Sequence, residues 1–365
     1  MKKHFILFCG ILGFSLINFK HNAKLFAQVT GGQNAFSYLQ LNPGTHNNGL
    51  GGIVPSFVDK KLEFVRQNPA LLELKHHNDF LLSYSQWSSI KHMNLQYAYT
   101  IPNWETNFSI GLQYLDYGTM SYTNIFGEDL GQIKAQDYAI YLSSSRVYKE
   151  NWSYGSTLKF AVSNLGSQTS VAGLLDVGIN YRSDDSLWQI ALVAKNMGVQ
   201  LKKYYKDQDY EPLPFDLQIG VAKRLANIPL TLMMSAHHLY KWDIRYNNPL
   251  DQVQNLFEDE DEKESSYFAD KLFRHINFGA QIHLAKRVYL NIGYSHLRRS
   301  ELAFDKNKGL SGFNFGIQAR LYKFHIGYSL ITHSIAGPIH ELGVQLKLSD
   351  YFSLGSKTET WHWKQ

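Results

Sequence analysis

Ser235, His237 and Asp243 are the residues of this sequence whose types and spacing come nearest to a hydrolytic site. A serine nucleophile needs a histidine base within hydrogen-bond reach and a carboxylate to orient that base. Serine and histidine two positions apart in an extended segment share one strand face, and Asp243 joins that face if the strand runs so far. Nothing else supports the chemistry. The chain has no G-x-S-x-G elbow, no Walker loop and no dinucleotide glycine pattern. The residues predict a protein that is not an enzyme and takes no cofactor.

Metal ligation is predicted to be absent for a similar reason. His237 and His238 are adjacent in a predicted strand, so alternation sends their rings to opposite faces, where they cannot share an ion. His76 and His77 lie just before the first predicted strand, without a complementary histidine or carboxylate spacing. Cys9, the single cysteine, falls inside the apolar N-terminal stretch. The acidic run 258–264 lacks the glycine and the alternating spacing of a calcium loop and reads as a solvated segment. Lys and Arg exceed Asp and Glu by 36 to 31, a net charge of +5, and the basic residues are scattered. Nucleic acid is therefore not an expected partner.

The elements that carry these residues follow a period of two. In 93–101, Met93, Leu95, Tyr97, Tyr99 and Ile101 are apolar, whereas Asn94, Gln96, Ala98 and Thr100 are polar or small. Successive side chains of a strand face opposite ways, so one face meets lipid and the other a polar lumen. The pattern recurs at 108–116, 152–163, 175–182, 215–222, 276–284, 288–295, 313–321, 322–330 and 342–348, and more weakly at 80–87, 138–148, 188–196 and 230–238. The chain thus reads as all-β, a transmembrane antiparallel β-barrel of about 14 strands. The aromatic content of 14% suits interfacial girdles, and Trp104, Trp152 and Trp188 fall where odd strands begin.

Connections are expected to alternate. Tight turns are predicted at 102–105, 149–151, 183–186, 226–228, 285–287 and near Tyr322, and long loops at 117–135, 198–213, 241–271 and 299–310. In an outer-membrane barrel the long loops are extracellular and both termini periplasmic. Residues 1–27 have the charged start, apolar core and small residue before Gln28 of a signal peptide. Residues 28–78 lack alternation but carry apolar islands, and are expected to form a plug in the lumen; 79–349 would be the barrel and 350–365 a tail.

Six segments go beyond a generic barrel: Q-N-P-A-L-L at 67–72, G-L-Q-Y-L-D-Y-G at 111–118, L-P-F-D-L-Q-I-G at 213–220, H-H-L-Y-K-W-D at 237–243, D-K-L-F-R-H-I-N-F-G at 270–279 and G-Y-S-H-L-R-R-S-E-L at 293–302. Over nearly the whole chain from Thr30 they resemble the PorQ family, outer-membrane proteins of the type IX secretion system of Bacteroidota. The step Asn68, Pro69, Ala70 is also similar to FadL-like barrels and reads as a fixed turn ending the plug. The resemblance implies a barrel akin to PorV and to FadL-type transporters. It further implies an anchor embedded in outer-membrane lipid that holds a PorZ-like surface protein near a PorU-like sortase and a PorV-like barrel during cargo attachment. No catalytic residue is carried over, and the acidic run and the tail depart from the pattern.

Two functions fit such a barrel. A docking scaffold would use aromatic residues of its long loops, for which Tyr204, Tyr205, Tyr210, Trp242, Tyr246 and Phe257 are the candidates. A FadL-like transporter of hydrophobic small molecules would need a continuous apolar pocket. The inferred lumen positions, Asn94, Gln96, Gln113, Asp176, Arg182, Asp216, Gln218, Gln281, Gln318 and Arg320, are polar and favour the scaffold.

Overall fold

The computed structural model describes residues 35–59, 61–124, 126–244, 268–301, 309–334 and 337–352. The predicted signal peptide, the acidic run, Tyr246, Phe257 and most of the predicted tail lie outside the described residues.

Every alternating segment of the sequence is a strand. The strands are β1 Asp79–Trp87, β2 Ile90–Ile101, β3 Thr106–Thr123, β4 Asp129–Tyr148, β5 Trp152–Leu165, β6 Gln168–Arg182, β7 Trp188–Lys202, β8 Asp216–Arg224, β9 Leu230–Ala236, β10 Ile276–Ala285, β11 Val288–Ser295, β12 Phe313–Leu321, β13 Phe324–Ser334 and β14 Gly337–Lys347. Each pairs antiparallel with the next, and β1 closes on β14 from Asp79 opposite Lys347 to Gln86 opposite His340. Closure leaves no unpaired sheet edge, the condition for a sheet to stand in hydrocarbon.

The polarity of this barrel is that of a membrane protein. Ile110, Ile140, Leu158, Phe160 and Leu342 are 53, 51, 61, 50 and 58% exposed on the outer face, while Gln113, Asp176 and Asn180 are buried inside. An apolar belt of this extent has no place in water and a natural one in lipid. Trp104, Trp152 and Trp188 are exposed at the end that carries the tight turns, where amphipathic rings anchor a barrel at the headgroups. Among the described residues no helix is long and apolar enough to cross a membrane.

The connections depart from the sequence reading in two ways. First, β1–β2 and β5–β6 are joined by only 88–89 and 166–167, so the short–long alternation fails there. Second, 117–135 is mostly not a loop: β3 continues to Thr123 and pairs with β4 through Thr119 opposite Lys134 and Thr123 opposite Asp129. This hairpin arm is exposed on both faces, so its sequence needs no hydrophobic alternation and gave no strand signal. β7 likewise runs on to Lys202, past the predicted start of its loop.

Residues 35–78 lie against the inward faces of the wall. Their short helix, Thr45–Gly49, packs against β11 to β14. Asn68 accepts a hydrogen bond from the Ala70 N–H (2.9 Å) and donates to the Pro55 carbonyl (3.0 Å), which fixes the turn at Pro69. Ser153 of β5 donates to the Ala70 carbonyl at 2.8 Å, and Ser145 of β4 donates to that of Leu72. This backbone approaches the wall closely because inward positions there are glycines. A Cβ on Gly155 would sit 2.6 Å from the Pro69 carbonyl carbon, and one on Gly293 would sit 2.7 Å from Gly51 Cα.

Gly155→Leu tests this docking. The wall's own hydrogen bonds are untouched, so unboiled protein should still migrate faster than boiled protein in SDS gels. Overpacking should cost about 1–3 kcal/mol and expose 35–78 to added protease, where the native chain is protected. Unchanged protection would show that the contact does not hold the segment.

Candidate functional site

A β-bulge builds the charged centre of the lumen. Val177 pairs with Ala194 and Leu175 with Met197, so Lys195 and Asn196 together face Asp176 alone. Asn196 has φ +58°, and both it and Lys195 turn inward as a result. The Asn196 N–H donates to Asp176 Oδ1 at 2.7 Å, while Lys159 Nζ of β5 stands 2.5 Å from Oδ2 and donates to Asn196 Oδ1 at 2.7 Å. Lys195 reaches Asn42 Oδ1 and Gln67 Oε1, each at 3.3 Å, and so ties the bulge to the inner segment.

The inner segment contributes charges of its own. Arg66 donates to Asn94 (3.2 Å), Gln113 and the Leu41 carbonyl (3.3 Å), and its guanidinium lies 4.5 Å over the Tyr141 ring. Glu341 of β14 accepts from the Gly44 N–H at 2.8 Å and Asn48 Nδ2 at 2.6 Å, holding the short helix to the opposite wall. Glu63 accepts from the His46 N–H at 3.1 Å, and burial pushes its carboxyl up to about 8. Of the ten sequence-inferred lumen residues, Asn94, Gln96, Gln113, Asp176, Asp216, Gln218, Gln281 and Gln318 are buried inside, whereas Arg182 is only half-buried and Arg320 is exposed. Lys195 and Arg66 had no comparable signal, because a bulge and a non-alternating segment supply them; Lys159 sits on the polar side of the alternation in 152–163 but was not singled out.

Towards the arm end the lumen opens into a cavity of about 290 Å³, bordered by Asn42, His92, Lys195, Asp216, His237 and Arg298. Here the expected opposition of His237 and His238 is wrong. β9 stops at Ala236, and His238 has φ +53°, so the chain leaves the pleat and both rings face the same side. Their Nδ1 atoms are 2.5 Å apart, and the His238 N–H donates to Asp216 Oδ1 at 2.6 Å. Burial holds both imidazoles below the usual histidine range, so they are neutral at neutral pH.

The other sequence candidates are dispersed. Ser235 donates to the Ile53 carbonyl at 2.8 Å and Asp243 pairs with Lys271 at 3.0 Å, so neither is hydrogen-bonded to His237. His76 Nδ1 accepts from the Glu73 N–H, and His77 Nδ1 accepts from the Thr100 N–H, each at 3.1 Å. Tyr205, Tyr210 and Trp242 are 51, 66 and 49% exposed, whereas Tyr204 turns inward to donate to Ser163 at 2.6 Å. The arm that the sequence reading took for a loop adds Tyr122 and Phe126, 51 and 82% exposed.

Breaking the buried pair should be costly. Asp176→Asn or Lys159→Met alone should lower stability to urea by about 3–5 kcal/mol, because each leaves a buried charge uncompensated. Lys159→Met combined with Asp176→Leu should cost clearly less than the sum of the singles. Additive losses would mean that the pair is not coupled.

No protein-family model matches this chain, and no curated protein does. Among solved structures, the TodX monoaromatic hydrocarbon channel, as its deltaS2 mutant, aligns over 84% of this chain and 97% of its own, at 12% identity and a TM-score of 0.50. A FadL homologue from Pseudomonas aeruginosa aligns over 83% and 98% at 8% identity, with a TM-score of 0.46. At such identity the likeness concerns the fold alone: this chain shares the closed antiparallel barrel of the TodX channel.

Proposed function

We propose that this protein is a non-catalytic outer-membrane barrel whose inner segment plugs the lumen and whose arm end anchors a surface protein. The observation that carries the reading is the filling of the lumen by hydrogen-bonded polar groups of 35–78. Cavities inside the wall besides the one near the arm end are as small as about 30 and 10 Å³. The arm end, by contrast, presents Tyr122, Phe126, Tyr205, Tyr210 and Trp242 to solvent, and aromatic residues are enriched at interfaces. In this reading that end is extracellular and both termini are periplasmic.

The resemblance to the PorQ family supplies the finer proposal. The occupant is a PorZ-like surface protein, held near a PorU-like sortase and a PorV-like barrel while cargo is attached to the cell surface. Passage of apolar molecules is the competing reading, and the neighbour that is a monoaromatic hydrocarbon channel favours it. The polar lining of the lumen weighs against it.

The two readings part in cells lacking the protein, or carrying a version without 119–131 and with 203–213 shortened. Anchoring predicts that a surface protein appears in the medium and cargo attachment falls, while uptake of long-chain fatty acids and aromatic hydrocarbons is unchanged. Normal attachment with lost uptake would replace the anchor by a transporter.

A further inference from the structure

We propose that Asp216, His237 and His238 form a binding site for a divalent transition-metal cation of the zinc class. The three residues are 5, 1 and 7% exposed, and one ligand atom from each lies within 4.8 Å of the others. His238 Nδ1 stands 3.9 Å from Asp216 Oδ1 and 2.5 Å from His237 Nδ1. Donors 2.0–2.1 Å from a tetrahedral zinc stand about 3.4 Å from each other. Small rotations of the two rings therefore fit the cluster to an ion.

Second, the frame around the donors is fixed, and the donors meet only one another: the two Nδ1 atoms face each other and Asp216 Oδ1 accepts from the His238 N–H. Gln218 Nε2 donates to Asp216 Oδ2 at 2.6 Å, leaving Oδ1 turned towards the histidines. The His237 carbonyl is held by His275 Nδ1 at 2.7 Å, and His275 Nε2 lies 3.0 Å from the Trp242 carbonyl. Yet Nε2 of His237 and Nε2 of His238 are both buried without a partner. Buried imidazole nitrogens left this way are uncommon in a folded chain. Third, the adjoining cavity of about 290 Å³ has room for the water that would complete the coordination.

The chemistry of the donors selects the ion. Two imidazoles and one carboxylate suit Zn²⁺, Co²⁺, Ni²⁺ or Cu²⁺, whereas Mg²⁺ and Ca²⁺ take oxygen ligands. Lys195 and Arg298 border the same cavity, so an ion held by charge alone is further disfavoured. Asp216 opens β8, and the histidines follow β9 directly. A bound ion would therefore pin the root of the 237–275 connection to the wall. This site does not depend on the anchoring role.

Calorimetric titration of the chelator-stripped full chain in detergent with Zn²⁺ tests the proposal. One equivalent should bind, Mg²⁺ and Ca²⁺ should not, and His237→Gln and His238→Gln should each weaken Zn²⁺ binding by at least about tenfold. The gel-mobility shift on boiling checks that each variant is folded. Should a variant not fold, Co²⁺ absorption of the native chain decides instead: a tetrahedral spectrum with imidazole ligation supports the site. Absence of binding by the native chain, binding unchanged in both folded variants, or a Co²⁺ spectrum without imidazole would overturn it.

Discussion

The constraint on which this structure depends is the inversion of polarity that lipid imposes. Apolar side chains go to the outside of the wall, so alternation delivers polar ones to the inside at every second residue. A lumen of this size shut off from water would leave those groups unsatisfied, at a cost of about 1–3 kcal/mol each. Residues 35–78 answer that demand. They bring backbone carbonyls to Ser145 and Ser153, a guanidinium to Asn94 and Gln113, and backbone and side-chain N–H groups to Glu341. The glycines of the inner face are what allow the two backbones to come close enough for these bonds.

Charge is handled by the same economy of position. A carboxylate at Asp176 would be expensive to bury alone. The bulge at Asn196 gives it a backbone N–H, and β5 gives it an ammonium. Two of the three positive groups near it, Lys195 and Arg66, turn their hydrogen bonds towards the inner segment or towards amides. The charged centre thus fastens 35–78 to the wall. His237 and His238, whose Nε2 atoms are buried without a partner, lie beside the cavity near the arm end.

The strands were legible in the sequence because each had one face in lipid, and period-two alternation reports that. The hairpin arm was not, since beyond Gly118 β3 is exposed on both faces and no packed interior demands alternation there. Connection lengths at 88–89 and 166–167 were misjudged because the loop rule for barrels is statistical, while β5 and β6 extend until a two-residue turn joins them. The misplaced histidine pair has a sharper cause: one left-handed residue, His238, ends the alternation that the sequence argument assumed. The turn at Asn68, Pro69 and Ala70 is held by the Asn68 side chain, and its seat on Gly155 and Gly178 follows only from the folded wall.

The central claim is that the inner segment, and not the wall, closes the lumen. Single-channel conductance in planar bilayers measures this most directly, comparing the native chain with one lacking 35–74, both shown to be folded by their gel shift. The account predicts little or no current through the native barrel and stable, several-fold larger steps after the deletion, because a wall of 14 strands encloses a water-accessible space once it is emptied. Equal currents through the two folded barrels would contradict it.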